Sequence, residues 1–139
     1  MNISSESVRL PAAFHPYAAT KSALESLSVS MRNELALYDA KLVIIRPGAI
    51  NTPFLNDLNT MQERIGDSVY KEALQNFASK APGEIHRIVE PEKVATVVVK
   101  ALSTHQPKRY YRINNNPKLR VAQFLPHWIR DYFMKRMLN

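Results

Sequence analysis

The stretch KLVIIRPG, residues 41–48, decides the fold class of this chain of 139 residues. Four consecutive apolar residues, 42–45, form a run that is short, rich in β-branched side chains and typical of a buried strand. Strands that are buried on both faces belong to parallel sheets covered by helices. Pro47 and Gly48 then end the strand. The stretch therefore predicts an α/β protein with a parallel sheet.

Helical patterns lie on both sides of this strand. Residues 17–38 predict one long helix with an apolar stripe at helical spacing: Leu24, Leu27, Met31 and Leu35. The same helix carries a ridge of small residues that permits close packing: Ala18, Ser22, Ser26 and Ser30. Further helices are predicted at residues 54–61, 70–77 and 91–102 and in the tail, and short strands at residues 1–4 and 108–113. The buried face predicted for the helix at 91–102 consists of Val94, Val97, Val98, Ala101 and Leu102.

The composition excludes several kinds of protein. The chain has no cysteine, so disulfides and thiolate chemistry are excluded. No apolar run approaches the roughly 20 residues of a membrane span, and we expect a cytoplasmic protein. The histidines lack the spacing of metal ligands, so we predict no metal; they are His15, His86, His105 and His127.

The net charge of +7 is concentrated late in the chain. The late basic residues are Lys108, Arg109, Arg112, Lys118, Arg120, Arg130, Lys135 and Arg136. A solvated basic face is the simplest interpretation. Trp128 and its basic neighbours also fit a helix that contacts a membrane or a nucleic acid. We favour packing of this helix over a substrate cleft or a neighbouring subunit, and we expect no nucleic-acid partner.

Tyr17 and Lys21 are four residues apart, so on a helix their side chains lie on one face. An ammonium group beside a tyrosine favours the phenolate. Such a tyrosine can exchange a proton with an alcohol or carbonyl oxygen, and a serine hydroxyl, from Ser4 or Ser5, can hold that oxygen. The set suits interconversion of an alcohol and a carbonyl, with the hydride supplied by a nicotinamide. By itself, the spacing also fits a surface tyrosine beside a lysine.

Three blocks of the sequence, in this order, resemble the motifs of the short-chain dehydrogenase/reductase family. They are NISS at residues 2–5, YAATK at residues 17–21 and RPGAINT at residues 46–52. The resemblance covers residues 2–102 and fades in the tail. It implies a partial Rossmann-like, doubly wound parallel sheet, the C-terminal half of an NAD(P)-binding fold.

The resemblance also implies roles for individual residues. Tyr17 would be the catalytic acid/base, and Lys21 would support it and bind the nicotinamide ribose. Ser5, the second serine of the pair, is the preferred catalytic serine. Ser4 stays open, because its position thirteen residues before Tyr17 matches the family's commonest spacing.

The cofactor would be NAD or NADP. Its nicotinamide and pyrophosphate side would be lined, beside Tyr17 and Lys21, by Pro47, Gly48, Ile50 and Thr52. Four apolar residues would form either an apolar substrate wall or plain core: Phe54, Leu55, Leu58 and Phe77.

The chain contains three glycines, Gly48, Gly66 and Gly83, and none belongs to a glycine-rich dinucleotide turn. We therefore predict a C-terminal catalytic half that lacks the family's N-terminal cofactor-binding half. The chain would be one domain with four segments: a catalytic helix and strand (1–52), substrate-covering helices (53–89), a last helix and strand (90–116) and a basic amphipathic tail (117–139).

The predicted function is that of an NAD(P)-dependent oxidoreductase that interconverts a secondary alcohol and a carbonyl. The substrate would be a small molecule, apolar if the covering helices form its wall, and residues 17–38 would join two copies into a homo-oligomer. The alternative is a catalytically silent piece that only associates with a full-length homologue.

Overall fold

The computed structural model describes residues 1–9, 16–55, 67, 69–80, 85 and 87–138. Within these ranges, the strands are β1 (Asn2–Ile3), β2 (Ile44–Pro47) and β3 (Tyr110–Ile113). The α-helices are α1 (Pro16–Leu35), α2 (Lys71–Lys80), α3 (Pro91–Ser103), α4 (Pro117–Ala122) and α5 (His127–Leu138). Two 3₁₀ helices, Glu6–Arg9 and Ala36–Tyr38, follow β1 and α1.

The described strands form one parallel sheet in the order β1-β2-β3. The central strand β2 is bonded on both sides: Asn2 N donates to Val43 O and Ile44 N donates to Arg109 O, each at 2.9 Å. The α/β fold with a parallel sheet is therefore confirmed.

Side chains of β2 and the residue before it alternate between two covered faces. Val43 and Ile45 pack with Ala101 of α3 and Ile113 of β3 in the buried core. Because alternate residues of a strand point to opposite faces, Ile44 and Arg46 point the other way, where α1 lies. Burial of this run on both faces is as the sequence predicts.

The face of α1 that is buried is small and polar. Its buried residues are Ala18, Glu25 and Ser28, whereas Leu27 and Met31 of the predicted apolar stripe are 56% and 37% exposed. Leu24 and Leu35 of the same stripe are half-buried, so the apolar stripe is covered only in part. The helix itself is confirmed, with its last turn tightened into a 3₁₀ helix.

Hydrogen bonds explain how polar side chains serve as the inner face of α1. Ser28 Oγ accepts a bond of 2.8 Å from Asn2 Nδ2 and donates one of 2.6 Å to Leu24 O. The Arg32 guanidinium donates to Leu42 O at 3.1 Å. Polar groups that leave water are tolerated when they find such partners, so α1 is fixed to the sheet largely by polar contacts.

An ion pair between Glu25 of α1 and Arg46 of β2 is the strongest of these contacts. The pair is bidentate, with Arg46 Nε 2.6 Å from Glu25 Oε1 and Arg46 Nη2 bonded to Glu25 Oε2. The guanidinium also lies 4.3 Å from the centre of the Tyr110 ring on β3. The hydrogen bond to Glu25 raises the pKa of Arg46 above its usual value. One guanidinium thus connects α1, β2 and β3.

Replacing Glu25 by alanine should strongly destabilise the fold. Both side chains of the pair are nearly buried, and a buried charge that loses its partner costs about 3 kcal/mol or more. Urea unfolding should show this loss for Glu25→Ala. Glu34→Ala, which removes an exposed acid from the same helix, should stay within about 0.5 kcal/mol of the wild type. Equal stability of the two variants would contradict this assignment.

The remaining predicted elements are largely confirmed where the structure describes them. Helices α2 and α3 cover the predicted positions, and β3 is the predicted late strand. Val94, Val97 and Val98 pack against the core, but Leu102 is 69% exposed, so its predicted burial is wrong. The helix predicted at 54–61 starts at residues 53–55. Its remainder lies outside the described residues, with Leu58, His15 and His86.

Two features are missing from the described ranges, namely a helix that could span a membrane and a cluster of metal-binding side chains. None of the helices in those ranges is long and apolar enough to cross a membrane. The same ranges hold no group of three or more His, Asp or Glu side chains placed to bind a metal ion.

Gly48 directly follows β2 and lies against Asn114, which directly follows β3. Its N–H donates to Ile113 O at 2.8 Å. A Cβ at this position would overlap the carbonyl oxygen of Asn114 and stand 3.1 Å from Glu6 Oε2. Asn114 itself is left-handed, with φ of 55°. Two backbone segments are thus in contact here, with no room for a side chain.

The substitution Gly48→Ala should therefore destabilise the chain by about 1–3 kcal/mol, the usual cost of overpacking. The obstacle is backbone, which cannot rotate away as a flexible side chain can. Chemical denaturation would measure the loss. Ser26→Ala on the exposed side of α1 is the control and should change stability by less than about 0.5 kcal/mol. An unchanged midpoint for Gly48→Ala would refute the contact.

Candidate active site

An open cavity of about 750 Å³ lies at the carboxyl ends of the three strands. The segments that follow the strands line it: Ser4 and Ser5 after β1, Gly48 after β2, and Asn114 and Asn116 after β3. Open α/β sheets bind their ligands at this edge. The cavity is therefore the candidate site on topological grounds alone.

The structure places every predicted catalytic and cofactor-binding residue on this one cavity. The residues are Ser4, Ser5, Tyr17, Lys21, Pro47, Gly48, Ile50 and Thr52. They come from positions up to 48 residues apart in the sequence. The juxtaposition is a finding, and the role of each residue stays a prediction.

Lys21 is held beside Tyr17 by the end of β1. Its ammonium donates a bond of 3.0 Å to Ile3 O and lies 5.6 Å from the centre of the Tyr17 ring. Because α1 begins at Pro16, both side chains belong to its first turns and share one face. The last carbonyl of the strand thus fixes where the ammonium stands. An ammonium has three donors, so two remain for other groups.

The Tyr17 ring is half-buried and contacts Phe54, with ring centres 5.0 Å apart. Phe54 and the buried Leu55 line the cavity, as the substrate-wall interpretation requires. Phe77 lies half-buried on α2. The two interpretations are compatible for Phe54 and Leu55. Both side chains line the cavity, and they also pack inside the fold: Phe54 contacts the Tyr17 ring and Leu55 is buried.

The two serines have different hydrogen-bond partners. Ser5 Oγ accepts bonds from Ser7 N and Ser7 Oγ at 3.2 and 3.0 Å, at the start of the first 3₁₀ helix. None of the described residues accepts a bond from its own proton. Ser4 Oγ is buried and has no hydrogen-bond partner among the described residues. Since buried polar atoms are normally paired, Ser4 remains a candidate beside the preferred Ser5.

Sequence reasoning missed Glu6, Asn114 and Asn116 as cavity-lining residues. Asn114 Nδ2 donates to Ala49 O at 3.1 Å and to Arg87 O at 2.6 Å, and so joins three segments of the cavity base. The signal for the asparagines was present, because residues that follow a parallel strand lie at the ligand-binding edge. Glu6 follows the serine pair Ser4-Ser5, and no periodicity or motif in the sequence indicates that it lines the cavity.

Glu6 is a buried carboxyl at the edge of this cavity, 8% exposed. Burial raises its pKa above the usual 4.5, while a hydrogen bond from the Asn116 backbone and the charge of Arg9 oppose that rise. One of its oxygens, Oε1, is without a hydrogen-bond partner among the described residues. Ionised Glu6 is therefore less favourable in the fold than in water.

The raised pKa of Glu6 predicts a pH-dependent cost to stability. The folded state binds this proton more tightly than the unfolded state, so stability falls as pH rises from 4.5 through the raised folded value. Glu6→Gln should remove this loss of stability, so the variant should be more stable than the wild type at neutral pH. The difference in stability between the two proteins should disappear below pH 4.5. Thermal melts across pH measure it, and the exposed Glu34→Gln is the control. A gap that widens on acidification would contradict the assignment.

Comparison with known proteins shows which protein family this sequence resembles. A family model described as short chain dehydrogenase matches residues 1–63. The "NADPH-dependent 3-dehydrocapnine reductase" of Ornithobacterium rhinotracheale is 32% identical over 97 residues, which are 69% of this chain and 34% of the relative.

Two further relatives point the same way. The "Probable short-chain type dehydrogenase/reductase VdlC" of Helicobacter pylori is 30% identical over 120 residues, 84% of this chain and 44% of the relative. The "Estradiol 17-beta-dehydrogenase 2" of Rattus norvegicus is 29% identical over 107 residues, 74% of this chain and 26% of the relative. The matches thus cover between about a quarter and less than half of the length of these curated relatives.

The family match corrects one expectation. The sequence predicted a chain restricted to the C-terminal half of the family's fold, without the N-terminal half. That description is wrong, since the family model matches residues 1–63, the N-terminal part of this chain. The chain is therefore not solely a C-terminal half.

Proposed function

We propose that this chain, which is homologous to enzymes of the short-chain dehydrogenase/reductase family, interconverts a secondary alcohol and a carbonyl. The observation that carries the proposal is the meeting of Tyr17, Lys21 and the two serines on one cavity at the carboxyl edge of the sheet. The resemblance of the motifs adds the expected roles. The names of the relatives, a reductase, a dehydrogenase/reductase and a dehydrogenase, support the same class of reaction.

In this proposal Tyr17 moves the proton. Its phenol oxygen gives a proton to the carbonyl oxygen during reduction and takes it from the hydroxyl during oxidation. The Lys21 ammonium, held by Ile3 O, places a positive charge beside the Tyr17 ring, 5.6 Å from its centre. Ser5, or Ser4 in its place, donates a hydrogen bond to the same substrate oxygen and orients it.

The residues present fit the nicotinamide side of an NAD(P) cofactor. Lys21 has two donors beyond its bond to Ile3 O for the ribose hydroxyls. Gly48, with no side chain, and the hydroxyl of Thr52 line the same cavity. When bound, the cofactor supplies or accepts the hydride. The choice between NAD and NADP and the direction of the reaction are left open by this proposal.

The proposed substrate is an apolar carbonyl compound or the matching alcohol. Phe54, Leu55 and Val94 present apolar side chains to the cavity. A carbonyl that carries an apolar group can bury that group here while its oxygen faces Tyr17. One relative is named for estradiol, which is compatible with an apolar substrate.

Tyr17→Phe should abolish turnover, because it removes the group that moves the proton and leaves the ring contact with Phe54 intact. The assay follows NAD(P)H absorbance with a panel of apolar ketones and alcohols. Tyr38→Phe, at an 81% exposed tyrosine, is the control and should retain wild-type rates. Retained turnover in a folded Tyr17→Phe variant would refute the mechanism.

Ser4→Ala and Ser5→Ala separate the two serine candidates in the same assay. Loss of an orienting hydrogen-bond donor should lower kcat by about 10²–10³-fold. The larger loss identifies the catalytic serine, and Ser7→Ala controls for disturbance of the first 3₁₀ helix. Small, equal losses in both variants would remove the serines from the mechanism.

The alternative function, association without catalysis, has one favourable observation. Leu27 and Met31 are exposed on α1, the helix through which the predicted homo-oligomer would form. A protein that is dimeric but shows no turnover with any tested substrate would favour this alternative. The cytoplasmic location stays a prediction.

A further inference from the structure

The charge of the chain separates into two parts. Residues 104–139 contain eight of the nineteen Lys and Arg side chains but only one of the twelve acids, Asp131. Residues 1–103 hold equal numbers of basic and acidic side chains. The whole net charge of +7 therefore belongs to the last quarter of the chain.

The same part of the chain exposes large apolar side chains. Trp128 and Tyr132, one turn apart on α5, are 72% and 62% exposed, and Phe124 just before α5 is 81% exposed. Lys135 and Arg136 lie two turns beyond Trp128, on the same side of the helix. Val121 of α4 is 66% exposed and adds further apolar surface. We call this set the aromatic-basic surface: Val121, Phe124, Trp128, Tyr132, Lys135 and Arg136.

The opposite side of α5 is already used inside the fold. Helix α5 packs against α2. Asn76 Nδ2 donates to Leu138 O and Lys80 Nζ donates to Arg136 O, both at 3.1 Å. The apolar residues of α5 that are half-buried, Ile129, Met134 and Met137, lie outside the aromatic-basic surface. Among the described elements, that surface is left facing outward.

We infer that the aromatic-basic surface docks on a membrane that contains anionic lipids. A surface that places Trp and Tyr beside Lys and Arg is suited to the headgroup region of a bilayer. Its aromatic rings enter the interface, and its cations meet the negative surface potential. This inference does not depend on the proposed function.

Charge argues against a second copy of the chain as the occupant. Two aromatic-basic surfaces placed face to face would bring cations together, and like charges across an interface are costly. A nucleic acid would satisfy the charge, but it offers no apolar region for the aliphatic Val121. An anionic bilayer matches both the cations and the aliphatic and aromatic side chains.

The single tryptophan of the chain, Trp128, makes the test direct. The full chain is titrated with vesicles of phosphatidylcholine alone or of phosphatidylcholine with phosphatidylserine, and its tryptophan emission is recorded. We expect a blue shift and a gain of intensity only with the phosphatidylserine vesicles. Raised salt should reverse the shift, because it screens exposed charges.

Paired substitutions separate the aromatic-basic surface from general charge. Lys135→Gln with Arg136→Gln should weaken vesicle binding by about 25-fold, since each basic residue near a membrane contributes about a factor of five. Lys93→Gln with Lys100→Gln, which removes the same charge from α3, should weaken it much less. Phe124→Ser should weaken binding, whereas Leu37→Ser, at an equally exposed site on another surface, should not.

Four results would overturn the inference. They are an emission spectrum unchanged by vesicles, equal binding to both vesicle types, a blue shift that follows protein concentration without lipid, and a shift produced by duplex DNA but not by vesicles. The third would indicate self-association and the fourth a nucleic-acid partner. Because the wild-type titration decides among them, the test does not depend on the folding of any variant.

Discussion

The ion pair between Glu25 and Arg46 is the constraint on which the rest of the structure depends. Glu25 lies one turn beyond Lys21 on α1, and Arg46 immediately precedes the Pro47-Gly48 segment. The pair therefore fixes the helix that carries Tyr17 against the strand that leads into the other side of the cavity. Contact of the same guanidinium with the Tyr110 ring extends this connection to β3. The geometry of the site follows from one bidentate contact made behind it.

Much of the fold could be predicted from local pattern. The β-branched run at residues 42–45 predicts a buried strand, and the periodic valines of α3 predict a helix with one buried face. Both predictions use only residues that are close together in the sequence. The motifs that contribute the site could be predicted too, since each is contiguous. Their meeting at one edge follows from the parallel order of the strands.

What the pattern could not provide is the inner face of α1. A stripe of leucine and methionine normally indicates the buried side of a helix, yet Leu27 and Met31 are exposed and Ser28 is fully buried. The reason is specific pairing: Ser28 meets Asn2, and Glu25 meets Arg46. These partners are 26 and 21 residues apart in the sequence, so no local periodicity indicates that they are paired. The same is true of Glu6, whose burial is created by Gly48 and Asn116 rather than by its own neighbours.

The contact between Gly48 and Asn114 divides the cavity into parts of different adaptability. Its floor is made by one backbone touching another, and a change of side chain cannot widen or reshape a surface that has no side chains. The wall formed by Phe54 and Leu55 has no such restriction, since its shape is set by replaceable groups. Divergence among proteins built on this plan should therefore collect on the helical wall, while the floor stays uniform, and a designer who wishes to alter what enters the cavity has one side on which to work.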